Sequence, residues 1–259
     1  MTARAAVLIA SVTTSALLAA CTSFHEVTIE TPIQAKLDIS AFQRILVAGF
    51  IAGGTEDVDA NLETVRLLRS QLRTKSALRV IEADVLPLQD IAKDQARETE
   101  EAEGSQEDLD APLPEKISDE KDLVSYERIF ANVNYWKKLG EEYQNPLIVT
   151  GTVLFTPHQR SGFVTREQEV YDQFGRRRVV PTRTYMERKG FILRPKFVFI
   201  DGRTGATIYS ESFREEVLYN AQQNTPALSS YFELMDRLVP SFLNTLSSQR
   251  IRGTRVLLK

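Results

Sequence analysis

Few residues in this 259-residue chain can do covalent or acid–base chemistry. Cys21 is the only thiol, and His25 and His158 are the only histidines. A lone cysteine has no partner for a disulfide or a cysteine metal site, and neither histidine has a second one at metal-ligand spacing. His158, beside Pro157, is a candidate general base, with an ordinary surface histidine as the competing reading. No serine sits in a G-x-S-x-G elbow. Gly49-Phe50-Ile51-Ala52-Gly53-Gly54 occupies the place of a phosphate loop, between a strand and a helix, but no Lys-Ser/Thr completes it, and turn glycines explain it as well. The densest positive charge is Arg176-Arg177-Arg178, near Phe163, Tyr171, Phe174 and Tyr185. Arginines beside exposed aromatics are the composition of protein interfaces, although alternate aromatics of a strand are expected in a sheet core. Three adjacent cations also suit anionic headgroups, peptidoglycan carboxylates or an acidic partner. The expectation is a chain with no catalytic set and no metal, whose candidate interface is Phe174, Arg176, Arg177 and Arg178.

The surroundings of Cys21 suggest a different chemistry for the thiol. Arg4 precedes AAVLIASVTTSALLAA, residues 5–20, an uncharged run ending in small residues. That run is shorter than the ~20 apolar residues of a bilayer-spanning helix, and its pattern is that of a secretory signal. Leu18-Ala19-Ala20-Cys21 resembles the lipobox of bacterial lipoproteins. The resemblance implies that residues 1–20 are removed and that Cys21 becomes the acylated first residue of the mature chain. Thr22, in place of Asp, implies transport to the outer membrane. The covalent lipid on Cys21 is the only non-protein group expected. The chain would face the periplasm, with the cell surface as the alternative.

The rest of the composition is ordinary for a globular protein, with 42% hydrophobic and 26% charged residues. A net charge of −3 argues against a general nucleic-acid binder.

The elements that would position these residues follow from patterning. Residues 22–41 are polar and read as a tether, leaving 42–259 as a single α/β domain. RILVAGF, residues 44–50, reads as a strand buried on both faces. Leu62, Val65, Leu68 and Leu72 recur at helical spacing, with Glu63, Arg66, Arg69 and Arg73 opposite them and Asp59 as a cap. LRVIE, residues 78–82, gives a second strand, parallel to the first across a right-handed crossover. Residues 90–122 are rich in carboxylates and read as an exposed, partly disordered insertion. A helix over 126–144 places Ile129, Val133, Trp136 and Leu139 on one face. A strand from Leu147 leads into a polar hairpin turning at Gln173–Arg176, and Asp201–Gly205 turns a second one. A last helix over 226–250 carries Leu228, Tyr231, Met235, Leu238, Phe242 and Leu246, with Thr225 as N-cap and Pro240 expected to kink or split it.

The order of RILVAGF, LRVIEAD, PLIVTGTV and FIDGRTGATIYSESF, ending in a helix, resembles the curli-secretion lipoprotein (CsgG-like) family. It also resembles the N-terminal domain of TolB and the lipoprotein activators of penicillin-binding proteins. The resemblance implies a mixed sheet with flanking helices and an extended β-hairpin. It also implies a non-enzymatic adaptor or assembly role in a cell-envelope complex. The alternatives are a subunit of an oligomeric secretion ring and an envelope hydrolase using His158. One departure is plain. A pore-forming hairpin needs an apolar lipid face, whereas Thr165, Glu167, Glu169 and Tyr171 alternate here with Val164, Arg166, Gln168 and Val170, and Pro181 interrupts the return arm. No pore is expected.

Overall fold

An apolar run that alternates between two faces must be covered on both, and that requirement organises the structure. The computed structural model describes residues 24–103, 113–220 and 222–258. Its elements are β1 (Phe24–Ile33), β2 (Arg44–Gly54), α1 (Ala60–Lys75), β3 (Arg79–Val80), α2 (Leu88–Glu103), α3 (Glu120–Tyr126), α4 (Arg128–Ala131), α5 (Val133–Glu142), β4 (Leu147–Tyr171), β5 (Arg177–Asp201), β6 (Thr207–Ser212), β7 (Glu215–Asn220), α6 (Ala227–Leu246) and β8 (Gln249–Leu258). They fall into two units, one formed by Lys36–Ser247 and one by the two ends of the chain.

Within Lys36–Ser247 a mixed sheet runs β3-β2-β4-β5-β6, with β7 also paired to β5. β2 is parallel to β3 and β4, and the remaining pairs are antiparallel. This is the mixed α/β architecture that the sequence implied. Ile45 and Val47 of β2 pack in one core with Val65, Leu68 and Leu72 of α1 and Leu234, Leu238 and Phe242 of α6. Leu46 and Ala48 join the other core, with Leu88 of α2, Leu123 of α3, Ile129 of α4 and Trp136 of α5. Helices on both faces complete a three-layer arrangement.

A register shift between Val47 and Gly49 interrupts the β2–β4 ladder. The extra residue reverses the alternation, so Phe50 joins the face of Ile45 and Val47 while Ile51 joins that of Leu46. Arg69 holds this point. Helical spacing placed it opposite the buried face, yet it is only 8% exposed. Its guanidinium donates to the Val47 carbonyl at 2.8 Å and the Ala83 carbonyl at 2.6 Å, joining α1 to the bulge and to the segment after β3. A long stem with a forked donor head allows this and a simple polar face does not foretell it. The Tyr231 hydroxyl, whose pKa burial raises, ties α6 to Thr64 and to the Ala60 carbonyl of α1.

Several stretches differ from their sequence expectation. The segment read as a tether contains β1, paired residue for residue with β8, where a helix was expected to run to Arg250. Residues 90–122, read as an exposed, partly disordered insertion, include most of α2 and the first three residues of α3, and the part at 104–112 lies outside the described residues. Apolar Leu88 and Ala92 anchor α2 in the core, which a count of carboxylates overlooks. The helix expected over 126–144 is divided at Asn132, whose side chain accepts from the Tyr135 amide and starts α5. Val133 is therefore exposed while Ile129, Trp136 and Leu139 are buried. Pro226, not Thr225, is the N-cap of α6, and Leu228 is exposed. Pro240 sits within α6, on its exposed side, and the helix continues to Leu246.

Among the described residues no helix is long and apolar enough to cross a membrane. Arg69→Ala is expected to cost about 3 kcal/mol in urea unfolding, because the buried Val47 carbonyl and the half-buried Ala83 carbonyl lose their donors. Arg69→Lys is expected to recover less than half of that loss, since an ammonium has no fork.

Candidate functional site

The candidate interface lies on a hairpin whose two strands pair along their whole length, from Leu147↔Asp201 to Tyr171↔Arg177. The near end is locked into the sheet, since β2 pairs β4 from Leu147 to Phe155. On β5, β6 takes Lys196–Ile200 and β7 takes Arg188–Leu193. From Ser161↔Glu187 outward each strand has only the other, over eleven consecutive pairs. That length corresponds to an arm of roughly 35 Å.

Strand alternation carries from the core into the arm. The side continuing Val149, Val153 and Phe155 bears Phe163, Thr165, Glu167, Glu169 and Tyr171 opposite Tyr185, Arg183, Pro181, Val179 and Arg177. The other bears Gly162, Val164, Arg166, Gln168 and Val170 opposite Met186, Thr184, Thr182, Val180 and Arg178. Both sides mix charged and apolar residues. The aromatics correct one expectation: Phe163, Tyr171, Phe174 and Tyr185 are all exposed, between 53% and 73%, and none belongs to the sheet core. Each lies beyond the point where helices cover the sheet. Phe163 and Tyr185 meet edge-to-face at 5.5 Å, and the Arg183 guanidinium lies 5.3 Å from the Phe163 ring.

The tip is an organised turn. Gly175 takes φ +73°, a left-handed conformation that suits glycine. One Asp172 carboxylate oxygen accepts from the amides of Phe174 at 2.9 Å and Arg176 at 3.0 Å, and the other accepts from Arg176 Nε at 3.0 Å. The Arg176 guanidinium also lies 5.3 Å from the Phe174 ring. The three arginines therefore differ. Arg176 is held by Asp172, Arg177 pairs with Glu169 at 2.9 Å, and Arg178 has no ion-pair partner among the described residues. Residues 160–189 carry eight arginines and lysines against four carboxylates, in a chain whose net charge is −3. The Phe163–Tyr185–Arg183 cluster was not singled out as an interface. Register brings it together, and a sequence shows it only once the hairpin's pairing is fixed.

His158 Nε2 lies 3.5 Å from Glu216 Oε1, beside a cleft of about 310 Å³ lined partly by Gln159, Lys189, Tyr219 and Gln223. No serine or cysteine is among the residues lining it. Gly54 takes φ +102°, and a Cβ there would stand 1.9 Å from the Phe155 carbonyl oxygen. The amides of Gly54 and Thr55 donate to the carbonyls of Ile117 and Phe155, and Asp59 caps α1 through the Leu62 amide. The donors a phosphate would need are occupied and carboxylates surround them, so these glycines, expected in a turn, belong to strand β2 and its end and form no phosphate loop. Among the described residues no cluster of histidine, cysteine and carboxylate is arranged to hold a metal. Leu18, Ala19, Ala20 and Cys21 lie outside the described residues.

No protein-family model matches the chain, and no curated protein does. Solved structures with a distant likeness include lipoprotein GNA1162 from Neisseria meningitidis, at 14% identity and TM-score 0.34, covering 78% of this chain and 98% of that one. Another is the PelC dodecamer from Paraburkholderia phytofirmans, at 12% identity and TM-score 0.32, covering 87% and 100%. The fold class stands on the strand order and register given above.

The hydrogen bond from the Arg176 amide, joined by those from the Phe174 amide and the Arg176 side chain, lowers the Asp172 pKa below its ordinary 3.8. A depressed pKa stabilises the turn fully above that ordinary value and ceases to do so as pH falls through the lower, folded value. The Phe174 and Arg176 amide resonances are therefore expected to stay fixed from neutrality to about pH 4 and to shift only in stronger acid. In Asp172→Ala they should already be shifted at neutral pH.

Proposed function

We propose that this chain is an outer-membrane lipoprotein, acylated at Cys21, that serves as a non-enzymatic assembly component or adaptor of a cell-envelope complex. Its α/β unit supports the arm, and the arm meets a protein partner.

The observation that carries this reading is the arm itself. Eleven cross-strand pairs extend past every other strand of the sheet, with four exposed aromatics and an excess of positive charge. Exposed aromatics cost solubility when nothing covers them, and aromatic residues with arginine are enriched at protein interfaces. A barrel strand is a poor alternative, because neither side of the arm offers lipid a continuous apolar face. The positive charge and the exposed side chains fit a partner surface that is acidic and partly apolar. Localisation rests on Leu18-Ala19-Ala20-Cys21 and Thr22, and orientation toward the periplasm rests on the same signal.

A photo-crosslinking residue at position 174 is expected to capture one envelope protein in living cells. Joint reversal of Arg176, Arg177 and Arg178 to Glu should reduce that capture at least about tenfold, a change of ~1.4 kcal/mol. Unchanged capture refutes the arm as the interface. A crosslink only to further copies of the chain, with a detergent-solubilised mass of many protomers, selects the ring reading. His158→Ala is expected to leave function intact, and loss of function with normal folding would select the hydrolase reading.

A further inference from the structure

The ends of the chain form a second structure that the adaptor reading does not use. β1 and β8 pair without interruption from Phe24↔Leu258 to Ile33↔Gln249, as a two-stranded sheet. Such a ribbon is marginal in water unless its apolar side is covered. Val27, Ile29 and Ile33 lie on one side and are 40%, 41% and 44% exposed. On that same side the register sets Arg255 opposite Val27 and Gly253 opposite Ile29. The other side holds Thr28 opposite Thr254 and the Glu30–Arg252 ion pair at 2.7 Å. At the end nearest residue 21, Phe24 stands opposite Leu258, and Leu257 and Val256 follow. Arg250, Arg252 and Arg255 outnumber Glu26 and Glu30 along the two strands.

We infer that the β1–β8 ribbon is a membrane-interface element that lies on an anionic lipid surface. This inference rests on the reading of Cys21 as the acylated residue. Three residue steps separate Cys21 from Phe24, a reach of at most ~11 Å. An anchor at Cys21 therefore delivers the apolar end of the ribbon to the bilayer surface. There Val27, Ile29 and Ile33 meet acyl chains, while Arg255 on the same side extends its stem along them to place its guanidinium among anionic headgroups, the two contributions that bind interfacial elements. A two-stranded ribbon has unpaired backbone groups along both edges, so it lies in the hydrated interface and does not span the bilayer.

The test uses the mature chain with Cys21→Ser, which removes the acyl chains, and Phe24→Trp as a reporter. The chain's only native tryptophan, Trp136, is buried and serves as the constant background. Vesicles of phosphatidylethanolamine with phosphatidylglycerol should shift the reporter's emission to the blue, with binding that weakens as salt rises. Vesicles of phosphatidylcholine alone should bind at least about tenfold more weakly. Arg255→Glu and Ile29→Asn should each lower partitioning, and because both positions are exposed, normal circular dichroism can be required of both variants.

The absence of a blue shift on either vesicle overturns the inference, as does partitioning of both variants equal to that of the parent protein. Self-association without lipid that is abolished by Ile29→Asn also overturns it and assigns the face to a second copy. Incorporation of labelled palmitate at Cys21 in cells is scored separately. Acylation without vesicle binding removes this inference alone, and vesicle binding without acylation removes the anchor reading alone.

Discussion

The pairing of β4 with β5 is the constraint on which the rest of the molecule depends. Its inner half is the centre of the sheet, and its outer half is the arm. An antiparallel register has period two, so a slip of one residue would move every side chain to the opposite side. The inner half forbids that slip. Leu147, Val149, Val153 and Phe155 face one core while Ile148 and Leu154 face the other, and all are buried. Burial of one such side chain stabilises by roughly 1.5–3 kcal/mol. An exposed cross-strand pair contributes only roughly 0.2–1 kcal/mol. The core therefore dictates the register of the arm, and the position of Phe163 opposite Tyr185 is set far from either residue.

The same division explains how the arm stays ordered without a core of its own. Local devices act along its length: the edge-to-face ring pair, the Arg183–Phe163 contact, the Glu169–Arg177 ion pair and the Asp172 turn. Each is weak and exposed, and together they cover the distance between the sheet and the tip. The tip also spends part of its positive charge on itself. Arg176 organises the turn with Asp172, which leaves Arg178 the better placed of the three to meet an outside carboxylate.

Much of the architecture was legible because strong apolar patterns leave few alternatives. RILVAGF and PLIVTGTV had to be central strands, and both turns showed in Phe174-Gly175 and in Asp201–Gly205. What escaped was what depends on partners distant in sequence. β1 was unreadable because its pairing strand lies more than two hundred residues away, at the other end of the chain. Arg69 looked like a solvent residue because helical periodicity sees its Cα position and not the reach of its side chain to Val47. In the candidate site, Phe174 and the three arginines stood out as a dense local cluster. Phe163, Arg183 and Tyr185 form their cluster across two strands, and only the register reveals it.

The unaccompanied outer half of the hairpin has a geometric consequence. Below Ser161↔Glu187, extra residues would have to fit against β2, β6, β7 and two cores. Above it, two residues added to each strand disturb no other element, preserve which side every existing residue faces, and advance the turn by ~7 Å. The arm is thus an adjustable ruler, whose span can change in fixed steps while the tip and the sheet keep their own structures.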